Sequence, residues 1–280
     1  MKLLILNYEY PPLGGGAGVI TQNIAEGLSK LGHEISVVTT WFQGEKEVEI
    51  VNDNLKIIRL KSKRKYLYRS NPREMLSWIS YAKAFLKKHL VSNKYDLCFA
   101  NFALPGGEVA YSLKMRFQLP YVIISHGHDI PWFMPKEMMW YHALTYQWIK
   151  TICVHSKRNY VQSNDMKTNI DAFLGPSFSH KNKIIYNGWN STVFSPDYSL
   201  RKKQFTILFP GRLVKQKDPM SFLKAINIIK NQIDDFKVII LGDGVLRKKM
   251  EKFTKANGFD KIVEFKLWVS KEEMLYNYRS

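Results

Sequence analysis

Apolar runs of strand length alternate with helix-length amphipathic segments along the chain. LLILN (3–7), EISVVTT (34–40) and LKIIRL (55–60) read as strands, with a glycine-rich turn and a helix over about 18–31 between the first two. A helix over about 74–91 precedes the strand YDLCFA (95–100), and a short helix near 107–117 leads to PYVIISH (120–126). Another helical stretch then leads to TICVHS (151–156), which reads as a further strand. This βαβα rhythm predicts a parallel sheet covered by helices on both faces.

After Phe178 the rhythm restarts. KIIYNG (183–188) reads as a strand and SPDYSLRKKQ (195–204) as a polar linker. FTILFPGR then opens a second strand-turn-helix unit, followed by KVIILGDG (237–244) and the strand IVEFKL (262–267). The pattern predicts two domains, residues 1–180 and 181–280. The second offers about three strands where a doubly wound half ordinarily has five or six, so it reads as partial. No internal repeat or low-complexity tract interrupts either.

Composition agrees with a globular chain of this length. At 280 residues about two domains are expected, and 45% hydrophobic with 24% charged residues excludes disorder and fibre. No apolar run approaches the roughly 18 to 20 residues of a membrane span. The start, MKLLILNYEYPP, resembles a signal peptide, but its apolar stretch stops at Leu6, which suits a buried first strand better. Cys98 and Cys153 each lie in an apolar run without the paired spacing of a zinc site or disulfide framework, which points to a reducing, cytoplasmic setting. Charge is less ordinary: 42 Lys+Arg against 24 Asp+Glu give +18. Such a field attracts polyanions, whether nucleic acid, anionic lipid headgroups or phosphorylated substrates.

Five segments carry candidate chemistry. PPLGGGAGV (11–19) joins the first strand to the first helix, and Gly14, Gly15, Gly16 and Gly18 allow positive φ and a close ligand approach beside a helix N-terminus. Val19 breaks the GxGxxG spacing and no Walker lysine follows, so the reading is anion or sugar contact, with a plain tight turn as the alternative. SHGHDIPW (125–132) sits at a strand's carboxyl end, where open α/β sheets place ligands. A lone HxHD is weak as a metal site, so His126 reads as a hydrogen-bonding partner for a substrate hydroxyl, with a partly buried loop histidine as the alternative. In GRLVKQKDP (211–219), Arg212 and Lys217 flank a turn before a helix opening near Pro219, a pairing suited to a leaving diphosphate or else two solvated cations. LGDGVLR (241–247) closes another strand as a ligand contact or a simple αL turn. The stretch 56–73 holds eight Lys/Arg and no acid, with Tyr66 and Tyr68 interleaved. It reads as an anionic-membrane contact through Lys61, Lys63, Arg64, Lys65 and Arg69, or as a solvated face. No RNA- or DNA-binding signature accompanies it, so no nucleic-acid partner is expected.

Taken in order, EYPPLGGGAGVITQNIAEGLSKLGHEISVVT, SHGHD, IIYNGWNSTVFSPD, ILFPGRLVKQKDP and VIILGDGVLRKKME resemble the family 4 glycosyltransferases, retaining enzymes of the two-domain GT-B fold. The resemblance implies two Rossmann-like domains: residues 1–180 binding the acceptor, and 181–280, partial, binding a nucleotide-sugar donor. It implies transfer of a hexose-type sugar to a lipid-linked or saccharide acceptor with retention of configuration and no bound metal. The non-catalytic alternative is a sugar- or nucleotide-binding module of the same fold. Arg212 and Lys217 match the family's cation pair on the donor diphosphate, and His126 matches the histidine near the transferred sugar. Gly14, Gly15 and Gly16 match the loop that approaches donor phosphate or acceptor across the cleft. Asn187, Gly211, Gly242, Asp243 and Gly244 fall in the remaining matched motifs and are expected at the donor. After VEFKLWVSKEEMLYNYRS the family continues into a motif with two glutamates eight positions apart, so the chain reads as truncated at its C-terminus. The expected location is cytoplasmic, or peripheral at the inner face of the membrane.

Overall fold

The computed structural model describes residues 1–67, 70–131, 135–188, 190–191, 193–201, 204–267 and 269–279, with side chains except those of 135–137 and 271. The chain divides into two units, Met1–Asn187 and Gly188–Ser280.

In the first unit the elements run β1 (Lys2–Leu6), α1 (Gly16–Lys30), β2 (Glu34–Thr40), β3 (Val48–Asn52), β4 (Leu55–Leu60), α2 (Pro72–Ser92), β5 (Leu97–Asn101), α3 (Glu108–Phe117), β6 (Tyr121–Ile124), α4 (Pro135–His155), β7 (Arg158–Val161), α5 (Asn164–Leu174) and β8 (Asn182–Ile184). They form one sheet in the order β3-β4-β2-β1-β5-β6-β7-β8. All neighbours are parallel except β3 and β4, which form an antiparallel hairpin. The chain starts at β1, builds outward through β2, then returns to β1's other side at β5. The strand order therefore reverses between β1 and β5, and the crevice at their carboxyl ends is the ordinary ligand position of such sheets.

Strand β1 shows why its sequence is a continuous apolar run. Leu3 and Ile5 join a core with α1 and β2, while Leu4 and Leu6 join the larger core on the opposite face. Both faces are covered, so polar alternation is absent. Helix α1 approaches the sheet closely because its buried positions are small: Gly18, Thr21, Ala25 and Ser29. Helix α2 begins with a capping box between Asn71 and Glu74 and carries Pro72 in its first turn. Cys98 on β5 and Cys153 on α4 are fully buried free thiols.

Three expectations need correction. TICVHS is the end of α4, and the strand is the next segment, Arg158–Val161. Ile149, Ile152 and Cys153 recur at helical spacing and are fully buried, so packing outweighs the β-branched character of the run. The hairpin strand β3 is an addition: Val48 and Ile50 are exposed, which leaves no apolar signature to read. Strand β8 pairs in parallel with β7, so the first unit extends to Asn187, past the break expected at 180/181.

The second unit contains β9 (Phe205–Pro210), α6 (Pro219–Ile229), β10 (Phe236–Leu241), α7 (Arg247–Ala256), β11 (Val263–Lys266) and α8 (Lys271–Arg279). Its three described strands are parallel in the order β11-β10-β9, around a core that includes Leu213, Leu223, Phe236, Val238, Ile240 and Met250.

Candidate functional site

In the first unit the polar residues that end β1, β5 and β6 meet at the carboxyl edge. Asn7 follows β1, and its Nδ2 donates to Thr21 Oγ1 at 2.7 Å, inside α1. Thr21 Oγ1 lies 3.0 Å from Asn101 Oδ1, at the end of β5. His126 follows β6, and its Nε2 is 2.9 Å from the same Asn101 oxygen. Burial pushes the His126 imidazole below its ordinary range, with Asp129 opposing weakly, so the ring is neutral near neutral pH. Asp129 holds the loop. It accepts from Ser125 Oγ (2.8 Å), His126 N (3.0 Å) and Ala103 N (2.9 Å). No group of three or more His, Cys, Asp or Glu placed to hold a metal lies among the described residues.

Phe102, just beyond β5, has φ +65°, a strained value for a bulky side chain. Its ring lies 4.8 Å from the His126 ring and 5.7 Å from Tyr8. Asn7, Thr21, Asn101 and Phe102 were not singled out from the sequence. The available signal was the polar residue that ends each apolar run, at strands expected to flank the sheet's centre.

The glycine turn divides in two. Gly14 has φ +89°, and a Cβ there would lie 2.6 Å from the Glu9 carboxylate, so the local fold demands glycine. Among the described residues, Gly15 and Gly16 face open space, with no atom within 4 Å of an added Cβ. Packing does not explain them. Helix α1 starts at Gly16 without a side-chain cap, leaving its first N–H groups available to a ligand.

Behind this turn lies Arg64, whose side chain is only 2% exposed and sits 3.6 Å from Glu9. It donates to the carbonyls of Tyr66 (2.9 Å) and Leu67 (3.3 Å), and Leu67 O accepts from Gly14 N at 2.9 Å. The expectation that Arg64 faces a membrane is thus corrected: Glu9 and the nearby carbonyls draw it inward as a clamp on the turn. Arg59 is buried as well, paired with Glu45 (3.1 Å) and Glu49 (2.7 Å). Lys61 pairs with Glu47. Lys63 and Lys65 are exposed. Tyr68 and Arg69 lie outside the described residues.

In the second unit Gly211 and Arg212 follow β9, and Lys217 ends a short turn before Asp218, which caps α6. Arg212 and Lys217 are exposed, and no acid pairs with either among the described residues. Gly242, Asp243 and Gly244 follow β10 and stack on this turn through backbone: Gly211 N donates to Leu241 O (2.8 Å) and Leu213 N to Asp243 O (3.0 Å). A Cβ at Gly242 would sit 2.2 Å from Gly211 O, and one at Gly244 2.5 Å from Leu213 O. These glycines are therefore explained by the close approach of two turns. Asp243 lies 3.9 Å from Arg247. Asn187 is an exposed loop residue after β8 and meets none of the other candidates within its unit.

A family model described as Glycosyltransferase Family 4 matches residues 14–234, and one described as Glycosyl transferases group 1 matches 191–280. The chain is 26% identical over 303 residues to a glycosyltransferase of Methanocaldococcus jannaschii, covering 100% of this chain and 73% of that protein. It is 26% identical over 246 residues to the Campylobacter jejuni GalNAc-alpha-(1->4)-GalNAc-alpha-(1->3)-diNAcBac-PP-undecaprenol alpha-1,4-N-acetyl-D-galactosaminyltransferase, covering 87% of this chain and 62% of that protein. The curated relatives it matches are longer, and the chain spans 62% to 73% of their length. Among solved structures, sucrose-phosphate synthase from Thermosynechococcus elongatus matches with a TM-score of 0.84 at 16% identity, over 99% of this chain and 73% of that one. WaaG, a glycosyltransferase involved in lipopolysaccharide biosynthesis, matches with 0.68 at 15% identity, over 98% and 72%. At such identities these structural likenesses bear on the fold alone.

Proposed function

The chain belongs to glycosyltransferase family 4, and on that premise we propose that it transfers a sugar from a nucleotide-diphosphate donor to a lipid-linked or saccharide acceptor, with retention of configuration. The observation that carries this reading is Arg212 and Lys217, exposed and without an acidic partner among the described residues, on a turn that backbone hydrogen bonds hold at the carboxyl end of β9. As the glycosidic bond to the donor breaks, negative charge grows on the leaving diphosphate. Two cations beside the N-terminus of α6 stabilise that charge more than they stabilise the intact donor.

In this reading the second unit holds the donor, with Gly211, Gly242, Asp243 and Gly244 shaping the turns. The first unit holds the acceptor side. The open backbone at Gly15 and Gly16 admits a phosphate or sugar, and His126 meets a hydroxyl of the transferred sugar. The chain itself needs no metal for this chemistry, since Arg212 and Lys217 supply the positive charge. The Campylobacter jejuni relative is named for an acceptor saccharide joined through PP to undecaprenol, which favours a lipid-linked acceptor here. Among the described residues no helix is long and apolar enough to cross a membrane. Contact with an anionic membrane surface would fall to Lys63 and Lys65, at about 1 kcal/mol per well-placed cation, with Lys61 engaged by Glu47.

Arg212→Ala tests the reading. Turnover of nucleotide-sugar donors should fall about 10²–10³-fold, as for loss of one donor to a developing oxyanion. Nucleoside-diphosphate binding, followed by calorimetry, should weaken in parallel. Unchanged turnover and unchanged binding would remove Arg212 from the role given to it.

A further inference from the structure

We infer that Asn101 is a positioning residue that fixes the His126 ring with its proton on Nε2, so that Nδ1 is held as a hydrogen-bond acceptor. This rests on the reading of His126 as the partner of a substrate hydroxyl, and it adds which atom receives that hydroxyl's proton and what sets it.

Backbone groups anchor the orientation of both asparagine amides, while the single Thr21 hydroxyl proton is shared between Ala17 O and Asn101 Oδ1. Asn7 Oδ1 accepts from Glu9 N at 3.0 Å, so its amide nitrogen must be the group that donates to Thr21 Oγ1. Thr21 Oγ1 lies 2.8 Å from Ala17 O and 3.0 Å from Asn101 Oδ1. Asn101 Nδ2 donates to Leu6 O at 3.3 Å. A flipped Asn101 amide would set its oxygen against the Leu6 carbonyl, two acceptors with no hydrogen between them. Its oxygen therefore faces His126 Nε2, at 2.9 Å, and an acceptor there is satisfied only by a protonated nitrogen. In a neutral imidazole the other nitrogen then carries the lone pair. No described group pairs with Nδ1. Asp129 grips the backbone of His126 rather than its ring, which leaves the ring's proton to Asn101.

The relay also joins two segments distant in sequence. Thr21 lies in the second turn of α1, behind the open glycines, and Asn101 closes β5. A ligand that shifts the start of α1 thus reaches the His126 ring through one hydroxyl and one amide.

The test is the two-bond proton–nitrogen spectrum of the full chain labelled with ¹⁵N-histidine, recorded without ligand above neutral pH. His126 signals are identified by their loss in His126→Gln. The expected pattern is a single tautomer, protonated at Nε2 and bare at Nδ1. Asn101→Leu should convert it to a mixture of both tautomers. Asn101→Asp keeps an acceptor towards Nε2 but sets its second oxygen against Leu6 O, so it should hold the proton on Nε2 while lowering stability. A proton on Nδ1 in the wild type, a mixture in the wild type, or no change in Asn101→Leu would each overturn the assignment. Should Asn101→Leu fail to fold, the wild-type and Asn101→Asp spectra still decide the matter. Because no donor is present, a correct tautomer in a protein without sugar-transfer activity would sink the proposed function and leave this inference standing.

Discussion

The carboxyl edges of the two sheets present opposite chemistry. In the first unit the groups are neutral, buried or, for His126, half-buried, and tied to one another through side chains: Asn7, Thr21, Asn101 and His126 form one chain of hydrogen bonds. In the second, Arg212 and Lys217 stand exposed and without an acidic partner among the described residues, while the turns beneath them are locked backbone to backbone. A neutral hydrogen bond gains only about 0.5–1.5 kcal/mol net in water, so recognising a hydroxyl requires donors and acceptors fixed in advance. A charged group attracts an anion from a wet surface and needs less scaffolding of its side chain. One edge is built for geometry and the other for charge.

The largest expected effect separates the edges by stability. Asp129→Ala leaves Ser125 Oγ, His126 N and Ala103 N without an acceptor. At about 1–3 kcal/mol for each orphaned buried group, the first unit should lose several kcal/mol in denaturant unfolding. Arg212→Ala should stay within about 0.5 kcal/mol of the parent. Equal costs would erase the distinction. A smaller effect divides the glycine turn itself. Gly14→Ala forces an L side chain to φ +89° against Glu9 and should cost at least about 1–2 kcal/mol. Gly16→Ala has open space among the described residues and a helical position, so thermal melting should be unchanged or slightly raised while affinity for a phosphate- or sugar-bearing ligand of the first unit falls. A destabilised Gly16→Ala would mean that packing, not ligand approach, explains this glycine.

The smallest effect is with pH. Burial lowers the imidazoles of His89, His126 and His142, and all seven histidines lie in the first unit. A group whose folded pKa lies below its unfolded value binds its proton more readily in the unfolded chain. Acidification through about 6.5 therefore favours unfolding of the first unit, and stability rises again as pH increases past that value. Hydrogen exchange followed separately in the two units should show this slope in the first, with no histidine contribution in the second.

Much of the fold was legible because buried parallel strands are uninterrupted apolar runs. Leu3 to Leu6 face both cores and need no polar alternation to be seen. The same signal misleads at residues 151–156, where Ile152 and Cys153 are equally apolar but packed from a helix. Strand β3 escaped because Val48 and Ile50 sit on an exposed edge. At the candidate site, the turns and their cations were visible as local motifs. The Thr21–Asn101 contact was not, since it joins positions 80 residues apart and depends on β1 and β5 lying side by side. A run of cations likewise cannot reveal which member turns inward, and here Arg59 and Arg64 do.

The two cysteines add a property of practical use. Cys98 and Cys153 are fully enclosed, and burial pushes both thiols far above their ordinary range. Neither forms an appreciable thiolate while the surrounding core is closed. Residues 188–280 contain no cysteine at all. Alkylation by a small reagent therefore acts as a clock set inside one half of the molecule: its rate counts the openings of the first unit's core and is blind to unfolding confined to the second.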